Sequence, residues 1–119
     1  MKNLITLVTI LTITASTVFA NTTPEVLIST PTVEVVNIDN LDIFTSSAFN
    51  AESNVLVFDT HEDISVVQIF NSKGEMEFQL PVMSNNVQIR KNLFETGKYQ
   101  LGFVIQGESD VHFTQVTIK

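Results

Sequence analysis

The 119-residue chain contains no cysteine. That excludes disulfides, cysteine-ligated zinc, thiol catalysis and a lipid-modified N-terminal cysteine. Basic residues are scarce, six Lys and Arg against 13 Asp and Glu, for a formal net charge of −7. Such a balance repels phosphate backbones and anionic lipid, so neither nucleic acid nor a membrane surface is an expected partner. Proline occurs only as Pro24, Pro31 and Pro81. Helical periodicity is missing from 33–58, where a single helical turn over 46–52 is the most that fits. No nucleophile, base and orienting group can be assembled from named residues, so we expect no enzyme, no metal and no cofactor.

What is present begins with an export signal. Residues 1–20 read as a signal peptide: Lys2 supplies the positive start, 4–13 is apolar, and Val18-Phe19-Ala20 precedes the cleavage point. The apolar run is interrupted by Thr6, Thr9 and Thr12 and is shorter than the roughly 20 residues a membrane-spanning helix needs, so no span is expected after cleavage. The remaining 21–119 carries all 13 acidic residues but only Lys73, Arg90, Lys91, Lys98 and Lys119, a balance of −8. Its length suits one domain with a modest core. An exported domain this small without cysteine fits a bacterial envelope, whether periplasm, cell surface or medium.

Within it, 21–32 is expected to be a flexible N-terminal lead, in which Val26-Leu27-Ile28 between two prolines makes an edge strand or a loose arm. Asn21-Thr22-Thr23 matches a glycosylation sequon by chance. The domain proper spans 33–119. Its clearest strand lies in 94–106, where Tyr99, Leu101, Phe103 and Ile105 recur at a spacing of two and share one face. Gly97 supplies the corner leading into it.

Other short strands are expected at 33–38, with a slip between Val35 and Val36, at 41–44 and at 54–58. A hairpin follows: 65–70 runs out, Asn71-Ser72-Lys73-Gly74 turns, and Met76, Phe78 and Leu80 return until Pro81 stops the strand. Val87 and Ile89 mark a further short strand. In the last strand, Val111 and Phe113 are out of phase with Val116 and Ile118, which predicts a β-bulge near Thr114 or Gln115; the alternative is a strand covered on both faces.

The acidic stretch Asp59-Thr60-His61-Glu62-Asp63 gathers three carboxylates and an imidazole, but lacks the ligand spacing and central glycine of a calcium loop. It reads as a solvated loop between strands. His112 has no visible second ligand, and neither histidine makes a catalytic case.

Seven or eight short strands separated by Asn, Asp and Gly turns predict an all-β fold, an immunoglobulin-like antiparallel β-sandwich of about seven strands, with a small barrel as the second reading. Tyr99, just inside a strand after a corner, is placed to bond backbone upstream as a tyrosine corner does. The structural residues singled out are thus Asn71, Gly74, Phe94, Gly97 and Tyr99.

Three features of 66–119 resemble the C-terminal sorting domain of proteins exported by the type IX (Por) secretion system of Bacteroidota. They are the strand and turn Val67-x-Ile69-Phe70-Asn71-x-x-Gly74-Glu75, the corner Phe94-x-x-Gly97-x-Tyr99 with Phe94 in the family's leucine position, and a closing strand ending in Val116, Ile118 and Lys119. The same hairpin and corner are similar to those of small exported Bacteroidetes β-sandwich proteins of unknown function. The resemblance implies a non-catalytic sorting or interaction module whose partner is secretion machinery or another envelope protein, with 111–119 or another sheet edge offered for strand addition. The alternative is a free-standing periplasmic or secreted protein that binds a glycan, a peptide or a protein.

Overall fold

The computed structural model describes residues 25–38 and 42–119. The expected signal peptide at 1–20 and the Asn21 sequon lie outside the described residues. Seven strands follow in order: β1 (Glu25–Ser29), β2 (Val33–Asn37), β3 (Phe44–Asn50), β4 (Val55–Phe70), β5 (Met76–Arg90), β6 (Gly97–Ile105) and β7 (Val111–Ile118). A 3-10 turn, Lys91–Leu93, separates β5 from β6. Every pairing is antiparallel. The antiparallel all-β fold of about seven strands is therefore the observed one. Its facing layers belong to one hydrogen-bonded sheet, in the order β1-β2-β7-β6-β4-β3 with β5 also on β4, which folds over itself into a nearly closed barrel.

The fold-over happens inside β4 and β5. The first part of β4 pairs with β3 and with the end of β5, and the second part pairs with β6 and with the start of β5. Between Asp59↔Asn86 and Ile64↔Ser84, four residues of β4 stand against one of β5. That excess bends the hairpin from one layer into the other. The acidic stretch 59–63 is thus a bulged segment within a 16-residue strand, not a loop between two strands. Thr60 Oγ1 holds the bulge, donating to the carbonyl of Glu62 at 2.6 Å, while the Asp63 carbonyl accepts from the backbone N–H of Gln106 at 2.9 Å.

Other boundaries differ from expectation for related reasons. Pro81 does not end its strand, because β5 has a partner on one side only and an edge strand tolerates a missing donor. The strand expected at 41–44 begins at Phe44 and continues to Asn50, through the stretch where a helical turn fitted. Phe44 is started by the Asp42 carboxylate, which accepts from its N–H at 3.2 Å, and Asn50 Oδ1 caps the following turn through the N–H groups of Glu52 and Ser53. β2 has no slip: Val33, Val35 and Asn37 face inward, and Ile38 is exposed. Of the two readings for the segment between prolines, the edge strand is observed. β1 pairs with β2 from Glu25 onward, so a flexible lead does not describe 25–29.

β7 carries no bulge. It runs in continuous register with β6 from Gly97↔Ile118 to Val104↔Val111. His112, Thr114, Val116 and Ile118 point inward, while Val111 and Phe113 pack on the outer face, where the Phe113 ring lies 5.8 Å from that of Phe70. The inner face is buried and the outer face half-buried, which reconciles the two phases without a bulge. Because β7 lies between β2 and β6, it is not a sheet edge, and the strand addition expected at 111–119 has no open partner there. Among the described residues, the unpaired edges belong to β1, β3 and β5.

The core joins the layers through three rings. Phe103 of β6 meets Phe44 and Phe58 from the opposite layer at centroid distances of 5.1 and 5.4 Å, both edge-on, and Phe44 and Phe58 are 5.6 Å apart. Phe58 and Phe103 are completely buried. Each contributes about 1.5–3 kcal/mol from burial, with roughly 0.5–1.5 kcal/mol more per ring pair. Leu101 and Ile105 extend this wall as the period-two spacing predicted, and Tyr99 is half-buried against it.

Candidate functional site

The five residues singled out from the sequence gather at one end of the barrel. In the β4–β5 turn, Asn71 Oδ1 accepts from the N–H groups of Lys73 (2.9 Å) and Glu75 (3.0 Å), and the Asn71 carbonyl accepts from Gly74 N–H at 3.0 Å. Asn71 Nδ2 donates to Glu75 Oε1 and Glu77 Oε2 at 3.1 and 3.3 Å. The short asparagine amide offers both an acceptor within reach of its own turn and a donor to hold the acidic pair. Gly74 has φ +82°, a value that favours glycine.

The corner into β6 is built the same way. Gly97 has φ +138°, and the Tyr99 hydroxyl accepts from the backbone N–H of Glu95 at 3.0 Å. Buried Phe94 packs edge-on against Tyr99, with ring centroids 4.9 Å apart. Phe94 and Gly97 thus shape the corner.

Between turn and corner lies a groove of about 400 Å³ lined by Asn71, Ser72, Lys73, Gly74, Lys98, Tyr99, Gln100 and Gln115. Gln100 and Gln115 are directly opposite each other on β6 and β7, and Lys98 is the next outward residue along β6. Neither lysine is ion-paired among the described residues. Two lysines without an ion-pair partner among the described residues, in a chain of net charge −7, make this groove a place suited to an anion. Sequence reasoning singled out the frame of this groove but missed Lys73, Lys98, Gln100 and Gln115. Lys98 and Gln100 carried a signal, since they alternate with the buried phase of β6; Gln115 joins them only through cross-strand register.

The opposite end holds the acidic bulge. A cavity of about 230 Å³ there is lined by Asp42, Ile43, Thr60, His61, Glu62, Ile64 and Ile105. Among the described residues, no three His, Cys, Asp or Glu side chains come close enough to hold a metal ion. Asp59, at the edge of the bulge, accepts from Asn86 Nδ2 at 2.7 Å and from Ser46 Oγ at 2.8 Å. Those two bonds, the Asn86 one foremost, hold its carboxyl below the usual range. His112 faces the interior, with Nε2 unbonded and 3.7 Å from Glu108 Oε1. Thr114 Oγ1, two residues on, is also buried without a partner.

A third groove, of about 290 Å³, runs along the seam between the unpaired edges of β1 and β3. Together these features define an antiparallel β-barrel-like protein with a polar groove at its tyrosine corner. No family model matches the chain, and no curated protein or solved structure matches it either.

Proposed function

We propose that the chain is a non-catalytic exported β-protein acting as a sorting or interaction module, as its resemblance to type IX sorting domains implies. One observation carries the interaction reading: among the described residues β5 is bonded on one side only, which leaves a 15-residue strand edge open to a partner. An extended segment can add its backbone hydrogen bonds to such an edge. Met76 and Met83 stand exposed along it, and flexible thioether side chains suit adaptable contacts. Pro81 and the left-handed Met83 (φ +55°) interrupt the edge midway, a device that discourages indiscriminate pairing between copies. The corner and turn geometry supports the resemblance, because the residues that carry it form the bonds such motifs need. Of the two histidines, His61 is exposed on the bulge and His112 is buried with its Nε2 3.7 Å from Glu108 Oε1.

Fusion of the whole of 21–119 behind a reporter, in a bacterium with type IX machinery, tests this. We expect surface delivery, reduced by Met76→Lys with Met83→Lys at unchanged melting temperature. A wild-type fusion that stays in the periplasm overturns the sorting role. A second reading, a free-standing binding protein, is favoured by the groove at the corner.

A further inference from the structure

We infer that the groove between the β4–β5 turn and the outer face of β6 and β7 binds a carboxylate-bearing polysaccharide, an inference that rests on the second of the two readings above. Its floor is sheet face, not sheet edge. β6 is hydrogen-bonded to β4 from Gln100 onward and to β7 along 97–104, and β7 to both β6 and β2, so most of the floor offers no main-chain group to an incoming peptide strand. Recognition there comes mainly from side chains. Those present are amides and ammonium groups: Gln100 opposite Gln115, with Lys98 on the same face and Lys73 on the overhanging turn.

A primary amide both donates and accepts, which matches vicinal sugar hydroxyls. Lysine meets a carboxylate as a point charge without demanding fixed geometry. Asn71 is excluded as a ligand donor, since its amide is already committed to Glu75 and Glu77.

An apolar shelf adjoins the groove. Phe70 is the cross-strand partner of Gln100, and its ring packs on Phe113 over Gly102. Gly102 is what lets these side chains lie close to the sheet. A Cβ at that position would stand 2.7 Å from Val111 Cγ1 and 3.3 Å from the Phe113 ring. The half-exposed Phe70 ring, beside the amide of Gln100, offers the C–H face of a sugar ring an apolar contact while its hydroxyls bond to the amides. The shallow polar lining has no deep apolar pocket of the kind that anchors a protein partner. The acidic chain as a whole repels a polyanion, so retention by one must come from a local site.

Affinity electrophoresis through gels containing a polyuronate, a neutral polysaccharide or polyglutamate tests this on the full exported chain. We expect retardation in the polyuronate gel only. It should weaken at least about fivefold with Lys73→Gln and Lys98→Gln together, and it should fade between about 0.01 and 1 M salt, as the screening length falls from roughly 30 to 3 Å. Gln100→Ala should weaken it further with no change in melting temperature. Equal retardation by the neutral gel overturns the carboxylate assignment and leaves a broader glycan-binding role standing. Equal retardation by polyglutamate, or indifference to the lysine substitutions, overturns the site.

Discussion

The backbone N–H of Glu95 donates to the Tyr99 hydroxyl at 3.0 Å, closing a loop of five residues over Gly97. Losing that bond in Tyr99→Phe should cost about 1 kcal/mol. In a domain of this size the melting temperature then falls by roughly 4–8 °C. Gly97→Val should cost more, about 1–3 kcal/mol from backbone strain. No atom lies within 4 Å of the Cβ it would add, so the Cβ itself meets no clash. Thermal melts followed by circular dichroism check both, and equal midpoints for wild type and Gly97→Val reject the corner geometry.

Gly102 makes a compensation test. Its replacement by alanine forces a methyl group against Val111 Cγ1 at 2.7 Å, an overpacking expected to cost about 1–3 kcal/mol. Val111→Ala removes the obstructing methyl groups. Urea unfolding should therefore find the double variant more stable than the sum of the two single changes, and simple additivity sinks the assigned contact.

Thr114 runs against the usual direction of mutation. Its hydroxyl is buried with no partner, and it faces inward beside Val116 and Leu101. Thr114→Val keeps the shape and removes the unsatisfied group, so stability should rise by about 1–3 kcal/mol. A lower unfolding midpoint for this variant contradicts the orphaned hydroxyl.

Asp59 sets an acid dependence. Hydrogen bonds from Asn86 and Ser46 lower its folded-state pKa, so its stabilising effect is fully present above the unfolded value and is lost as pH falls through the folded one. Wild type should exceed Asp59→Asn in urea midpoint by a constant margin above about pH 5, and that margin should shrink below about pH 4. A margin that grows on acidification reverses the sign and refutes the assignment.

The parts of this fold that were legible beforehand are those set by neighbours in sequence. Tyr99, Leu101, Phe103 and Ile105 alternate strongly enough to define β6, and Asn71 with Gly74 specifies a turn by its own chemistry. What was missed depends on residues distant along the chain. The stretch 59–63 has the composition of a loop, yet Asp59 pairs with Asn86 of β5, Thr60 pairs with Phe44 of β3, and the bonds from His61 to Ile43 and from Gln106 to Asp63 keep it within a strand. Pro81 signals a stop only where both sides of a strand are occupied. The inward turn of His112 and Thr114 follows from a register imposed by β2 and β6. The same holds for the groove: Lys98 and Gln115 are 17 positions apart, and only the β6–β7 ladder places them on one surface.

The pairing of β2 with β7 joins Val35 to Val116. At roughly 5–20 residues per second on the ribosome, the second strand waits about 4–16 s for its neighbour to be made. Until then its inward valines have no inner ladder to shelter them, and the first half of the barrel cannot close. Such long-range closure favours slow, late folding. A nascent chain arranged this way cannot complete the layer around β2 until its last strand has been made.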